Sequence, residues 1–230
     1  MAQPSSVLIT GAGRGIGLEL ARQYAAEGWR VHATSRDAKG ARPLERIEGD
    51  VVTHRLDVTK GVQVSALARD LKGEPIDLLI NNAGRTGARD RTFGSLDYES
   101  WEEIFRVNTL GPLRVAEALV DLVAASKRKL IISLSSRMGS IGANKDGGSY
   151  SYRSSKAALN AAMKSLSIDL ARRKITVVVF HPGWVRTDMG GRSASLSPKK
   201  SVEGLRTVID GLKRSDNGRF LNYDGAEIPW

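Results

Sequence analysis

The sequence predicts an α/β fold, a doubly wound parallel sheet with helices on both faces. Three observations predict it. Short apolar, β-branched runs alternate with amphipathic segments along the chain, the pattern of strand and crossover helix in a parallel sheet. A glycine-rich turn joins the first such run to the first amphipathic segment. Polar residues gather where several runs end, and open α/β sheets bind ligands at the carboxyl ends of their strands.

The expected strands are VLIT at 7–10, RVHATS at 30–35, VTHRL at 52–56, DLLIN at 77–81, KLIISLS at 129–135, ITVVVF at 175–180 and RFLNY at 219–223. Each is short, and all but RFLNY carry β-branched residues, as strands covered on both faces should. Between them, IGLELARQYAAEG at 16–28 and VQVSALARDLKG at 62–73 place apolar residues at helical spacing, with Gly28 and Gly73 where the helices should stop. A longer helix runs from about Tyr98 to Ser126, and another covers 151–173. Before the last helix Ser197 is the expected N-cap and Pro198 the first helical residue.

The chain has 230 residues and no Pro/Ser-rich linker, so one domain over 1–230 is expected. No apolar run approaches the ~18 residues of a membrane span. MAQPSSVLIT enters an apolar run without a basic leader, which predicts a cytoplasmic protein. With no cysteine, disulfides, thiolate catalysis and cysteine-held metal are excluded, and His32, His54 and His181 are scattered. No metal centre is expected. The net charge of +10 comes from 35 cations spread among 25 acids, and no recognition motif accompanies it, so nucleic acid is not an expected partner.

TGAGRGIG at 10–17 follows the first strand. The dinucleotide pattern GxGxxG fails because Ile16 stands at its third glycine, whereas GxxxGxG fits through Gly11, Gly15 and Gly17. Such a turn brings backbone close to a pyrophosphate and leaves a helix N-terminus facing negative charge. LDVT at 56–59 and NNAG at 81–84 end two further strands, so one site draws on several strand ends.

A second constellation lies in GGSYSYRSSK at 147–156. At about 100° per residue, Tyr152 and Lys156 fall within about 40° on one helix face, whereas Tyr150 is about 120° away from the lysine. An ammonium beside a phenol favours the phenolate, which suits Tyr152 to proton exchange with an alcohol or carbonyl. SLSSRMGS supplies hydroxyls at the end of the fifth strand to hold a carbonyl oxygen, with Ser133, Ser135, Ser136 and Ser140 as the candidates. Asn108 lies inside the long helix, where asparagine is a poor helix former and needs a reason.

TGAGRGIG, LDVT, NNAG, Asn108 in VNTLG, SLSS, YRSSK at 152–156 and HPGWVRTDM at 181–189 stand in the order found in the short-chain dehydrogenase/reductase superfamily. The sequence resembles that family along nearly its whole length. SSRMGSI and the ending NGRFLNYDGAEIPW further resemble a compact carbonyl reductase subgroup that includes the C-factor signalling proteins. The resemblance implies a Rossmann-type sheet of about seven strands in the order 3-2-1-4-5-6-7. It also implies a catalytic set of Ser136, Tyr152, Lys156 and Asn108. Ser136 is preferred over Ser135 because it stands three residues before Gly139, and Asn108 is expected to distort its helix and bind a relay water.

The resemblance places a nicotinamide dinucleotide against Gly11, Arg14, Gly15, Ile16 and Gly17. Asp57 and Val58 match residues beside the adenine, and Asn81 with Asn82, Ala83 and Gly84 match the segment under the ribose. Pro182, Gly183, Val185 and Thr187 match the segment near the nicotinamide, with Tyr152 and Lys156 also reaching the cofactor. Ser35 occupies the usual acid position of an NAD enzyme and Arg36 follows it. With Arg14 this suits a 2′-phosphate, so NADPH/NADP+ is expected over NADH. Asp37 would serve a ribose hydroxyl instead if the register shifted.

The implied substrate is a small carbonyl or alcohol, with a short polar lid at about 188–197. Ser136 and Tyr152 are 16 positions apart, longer than is common in the family, so an enlarged loop over the site is expected. Sugar-nucleotide epimerase or dehydratase chemistry is disfavoured, since those relatives carry a larger C-terminal region. A regulatory protein with secondary catalysis is the competing reading. Relatives include homodimers, homotetramers and monomers, and the sequence does not choose among them. His181 is read as structural.

Overall fold

The computed structural model describes residues 4–87 and 93–230, so the start of MAQPSSVLIT lies outside the described residues. Seven strands form one parallel sheet: β1 (Ser6–Ile9), β2 (Arg30–Ser35), β3 (Val51–Arg55), β4 (Leu78–Asn81), β5 (Leu130–Leu134), β6 (Thr176–His181) and β7 (Phe220–Asn222). Their order is β3-β2-β1-β4-β5-β6-β7, the order that the family resemblance implies. The direction of winding reverses between β1 and β4, which opens a crevice at their carboxyl ends.

Strand alternation explains the nearly unbroken apolar runs. Val7, Ile9, Leu78, Ile80, Ile132, Val178 and Phe180 point to one face, while Leu8, Leu79, Ile131, Val177 and Val179 point to the other. Both faces are covered, so neither parity can be polar. Seven helices provide the cover: α1 (Gly15–Ala26), α2 (Ala38–Ala41), α3 (Gly61–Asp70), α4 (Tyr98–Phe105), α5 (Gly111–Ala125), α6 (Tyr150–Asp169) and α7 (Pro198–Gly211). The first core includes Leu20 and Tyr24 from α1 and Val202, Leu205 and Ile209 from α7. The second includes Val64 and Leu67 from α3, Val115, Leu119 and Val123 from α5, and Leu159 and Met163 from α6.

Three local features bear on the site. The long helix expected over about 98–126 is divided: a π-helical turn, Arg106–Leu110, separates α4 from α5 and contains Asn108. The cap before the last helix is as read, with Ser197 Oγ accepting from Lys200 N at 3.2 Å. Residues 140–149 form the expected loop, ending in three successive left-handed residues, Gly147, Gly148 and Ser149. No helix among the described residues is long and apolar enough to cross a membrane.

Candidate active site

The glycine turn leaves β1 at Gly11, which has φ of +65° and lies against the segment after β4. A Cβ there would stand 2.9 Å from the Ala83 Cα, so a side chain would push the two central strand ends apart. Asn82 holds the turn from the other side, its Nδ2 donating to the carbonyls of Thr10 at 2.8 Å and Gly11 at 3.0 Å. Thr10 Oγ1 accepts from the backbone N–H of both Asn82 and Ala83 at 3.0 Å. NNAG therefore braces the turn as well as bordering the crevice.

Arg14 is the extended N-cap of α1 and makes no capping bond, and the first turn carries no acid. The amides of Gly15, Ile16 and Gly17 thus open α1 with no carboxylate of their own helix in the way, an arrangement that fits a pyrophosphate. The Ile16 side chain packs against the first core, so only its backbone faces that position. A Cβ on Gly15 would lie 3.2 Å from Thr187 Cγ2, which brings the segment after β6 against the turn. In that segment Gly183 has φ of +82°, the Pro182 carbonyl accepts from Ser201 Oγ at 2.6 Å, and buried Val185 bridges to Leu196.

At the end of β2, Ser35 Oγ donates to the Asp37 carbonyl at 3.0 Å, and Arg36 is exposed. The Asp37 carboxylate accepts from Gly40 N at 2.9 Å and caps α2. One oxygen of that carboxylate is thus engaged within its own turn. Arg14 Nη1 pairs with Asp188 at 2.8 Å, with both side chains well exposed. After β3, Asp57 is partly buried, yet its carboxyl is held below the usual range by bonds from Thr59 N and Oγ1 and by the charge of Arg36. Val58 is buried against Gly111, and its carbonyl accepts from Arg114 Nη1 at 3.0 Å.

The residues expected to be catalytic come together where β5 meets α6. Lys156 is buried, its Nζ donating to the Leu134 carbonyl at 2.8 Å and lying 6.0 Å from the centre of the Tyr152 ring. Burial lowers its pKa to about 8, since a cation is costly away from water. Tyr152 is half-buried, one turn before Lys156 on α6. Ser136 ends the strand as the cap of a 3-10 turn, Arg137–Gly139, its Oγ accepting from Met138 N at 3.1 Å. The hydroxyl keeps its own hydrogen for an outside acceptor. Ser135 is buried, and its Oγ faces the Lys156 carbonyl at 3.5 Å.

Asn108 is buried in the π-helical turn. Its Oδ1 accepts from Arg85 N at 2.9 Å, while Nδ2 donates to the Arg85 carbonyl at 2.9 Å and to Ser155 Oγ at 3.0 Å. It ties the segment after NNAG to α6. A Cβ on Gly84 would lie 3.4 Å from Asn108 Oδ1 and 3.7 Å from Lys156 Nζ. Tyr150 starts α6 away from the lysine and lies among Trp101 and Phe93, ring centres 6.4 Å apart in each case. A shallow cleft of about 370 Å³ lined by Tyr98, Trp101, Phe105 and Leu110 contains none of the reactive residues. Among the described residues no group of three or more His, Cys, Asp or Glu side chains is placed to hold a metal ion.

A glycine turn at the β1/β4 crevice and a Tyr–Lys pair on one helix face thus share one end of the sheet. The profile of the short chain dehydrogenase family matches residues 5–196. The chain belongs to the short-chain dehydrogenase/reductase family. It is 46% identical over 165 residues to C-signal of Myxococcus xanthus, covering 72% of this chain and 99% of that one. Carbonyl reductase Sniffer of D. melanogaster superposes with a TM-score of 0.93 at 35% identity, covering 99% of this chain and all of that one. The NADPH-bound carbonyl reductase from chicken fatty liver gives 0.92 at 33% identity, covering both chains in full. This family member is accordingly an oxidoreductase of carbonyl reductase-like structure.

Proposed function

We propose that residues 1–230 act as one NADPH-dependent carbonyl reductase domain that reduces an aldehyde or ketone to an alcohol. The observation that carries this reading is the buried Lys156 ammonium beside the Tyr152 ring, at the sheet end where the glycine turn and Ser136 also lie. The amides opening α1, with Gly11, Asp57, Val58, Asn82, Ala83, Gly84, Pro182, Gly183, Val185 and Thr187, would hold the dinucleotide. Ser35, Arg36 and Arg14 would take its 2′-phosphate, a choice supported by the exposed cations Arg36 and Arg14 at this end of the site. Bound NADPH supplies the hydride.

The chain's own groups handle the oxygen. Ser136 Oγ donates a hydrogen bond to the carbonyl oxygen and fixes its position. Tyr152 gives its phenolic proton to that oxygen as charge builds there, and the Lys156 ammonium stabilises the phenolate that remains. Asn108 holds the Arg85 backbone and Ser155 against this end of α6, keeping the lysine in place. Residues 188–197 cover the cleft as a short lid.

Likeness to C-signal over 165 residues favours one other reading, a regulatory protein in which reduction is secondary. Following NADPH absorbance with a panel of aldehydes and ketones separates the two. The parent is expected to turn over several of them, and Tyr152→Phe to lose about 100-fold or more, the scale of a general acid. Equal turnover by parent and variant would defeat the mechanism. An inactive parent that still binds NADPH would favour the regulatory reading.

A further inference from the structure

Arg137 follows Ser136 directly and opens the 3-10 turn that the serine caps. It is exposed. Arginines next to other residues of the expected site are engaged. Arg85 pairs with Glu103, Arg153 Nε donates to the Gly147 carbonyl at 3.1 Å, and Arg186 Nη1 donates to the carbonyls of Ala194 at 2.9 Å and Ser195 at 3.1 Å. Among the described residues no carboxylate pairs with Arg137 and no side-chain hydrogen bond holds it. A guanidinium left with all its donors beside a reacting centre is a planar fork for a carboxylate.

The backbone places Arg137 where the ends of β5 and β6 adjoin, since Ser135 N donates to the Phe180 carbonyl at 2.7 Å two residues before it. Burial first, and then the charge of Arg137, hold the His181 imidazole at the end of β6 down to about 4, in keeping with that placement. Leu134 and Phe180 are register partners. The ends of β5 and β6 therefore adjoin, on the side of Ser136 away from the β1/β4 crevice. The opposing charge there is Asp224, which also acts on His181. Its Oδ1 accepts from Asn222 Nδ2 at 2.8 Å and from Ala226 N at 3.1 Å, so it is held within its own turn.

We infer that Arg137 forms a carboxylate subsite beside Ser136, and that the preferred substrates are aldehydes or ketones carrying a carboxylate beyond the carbonyl. The inference rests on the carbonyl reductase reading and narrows its substrate class. The carboxylate pairs with the guanidinium while the carbonyl oxygen meets Ser136 and Tyr152, so a single anchor sets both affinity and orientation.

The test compares matched substrates under steady state with NADPH: 4-carboxybenzaldehyde against 4-nitrobenzaldehyde, and 4-oxobutanoate against butanal. The quantity read is the ratio of kcat/KM for the anionic member to that for the neutral one. In Arg137→Gln that ratio should fall about 10- to 100-fold in at least one pair, mainly through KM, as loss of a charge-assisted pair predicts. Arg137→Lys should recover part of it. Arg172→Gln removes one positive charge from the 3-10 turn Ala171–Arg173 beyond the far end of α6 and should leave the ratio at the parent's value. An unchanged ratio in Arg137→Gln overturns the inference, and so does an equal fall in Arg172→Gln, which would reveal only net charge. If the parent reduces neutral carbonyls but shows no anionic preference in either pair, the subsite fails while the reductase reading stands. If it reduces no carbonyl, both fail.

Discussion

At the scale of single residues, the pair formed by Arg14 and Asp188 is the most informative contact at the cofactor end. It joins the glycine turn to the segment after β6 at 2.8 Å, yet an exposed pair of this kind is worth only about 0–1 kcal/mol. A 2′-phosphate brings about two negative charges and would draw Arg14 away, while Asp188 opposes it. Asp188→Ala should therefore tighten NADPH binding about 2- to 5-fold and leave NADH nearly unchanged. Fluorescence titration with both nucleotides checks this, and an equal shift for both would remove Arg14 from phosphate recognition. The sequence presented Arg14 and Arg36 as a clamp, but it could not show that Asp188, 174 positions away from Arg14, already holds one of them. Long-range pairing of this kind has no local signal. Tyr152 and Lys156 were legible because helical geometry alone fixes two residues four apart.

Among elements, the turn carrying Ser136 is clamped from two sides. A Cβ on Gly139 would meet Lys156 atoms at 2.7–3.0 Å, so this turn lies directly on α6. Residues 226–230 fold back along β7 and bring the Trp230 carbonyl to Gly142 N at 3.0 Å and Ser140 Oγ at 3.3 Å, with the indole 5.5 Å from the Phe220 ring. Trp230→Ala should cost about 1–3 kcal/mol, less than a fully buried tryptophan because the residue is 38% exposed. It should also lower kcat several-fold, with Trp230→Phe retaining most activity. Thermal melts and steady-state kinetics on the same preparations check both effects; stability lost with kcat intact would confine the contact to folding. This clamp was not legible in IPW, which carries no periodic pattern. The short helix α2 was also missed, being four residues long, and with it the reason for Gly13, whose Cβ would stand 2.6 Å from the Gly40 carbonyl. The seven strands were legible because burial on both faces forces continuous apolar runs. The break in the long helix showed only as one misplaced asparagine.

Over the whole molecule, the buried imidazoles couple folding to pH. His32 is 1% exposed, and its Nδ1 lies 3.1 Å from His54 Nε2, an approach that needs at least one of the facing nitrogens unprotonated. Burial, and then the neighbouring His54, bring the His32 pKa down to about 4, against the pull of Glu74. His181, half-buried at the carboxyl end of β6, is also held down to about 4, chiefly by the burial of its ring. In the unfolded chain both titrate near ~6.5. Between those values the unfolded state takes up protons that the folded state resists. Stability is therefore full above about pH 6.5 and falls as the pH drops toward 4. For His32 alone the ceiling is about 3 kcal/mol, a large share of the about 5–15 kcal/mol typical of a domain. Urea melts from pH 8 to pH 4 should show a steady fall in midpoint beginning near pH 6.5, and His32→Gln should flatten it. A midpoint that stays level between pH 7 and pH 5, or a variant with the parent's slope, would place the acid sensitivity elsewhere. Because neither imidazole belongs to the Ser136–Tyr152–Lys156 constellation, this loss should precede any effect of acid on the proton-transfer groups themselves, and activity should fall with the folded fraction.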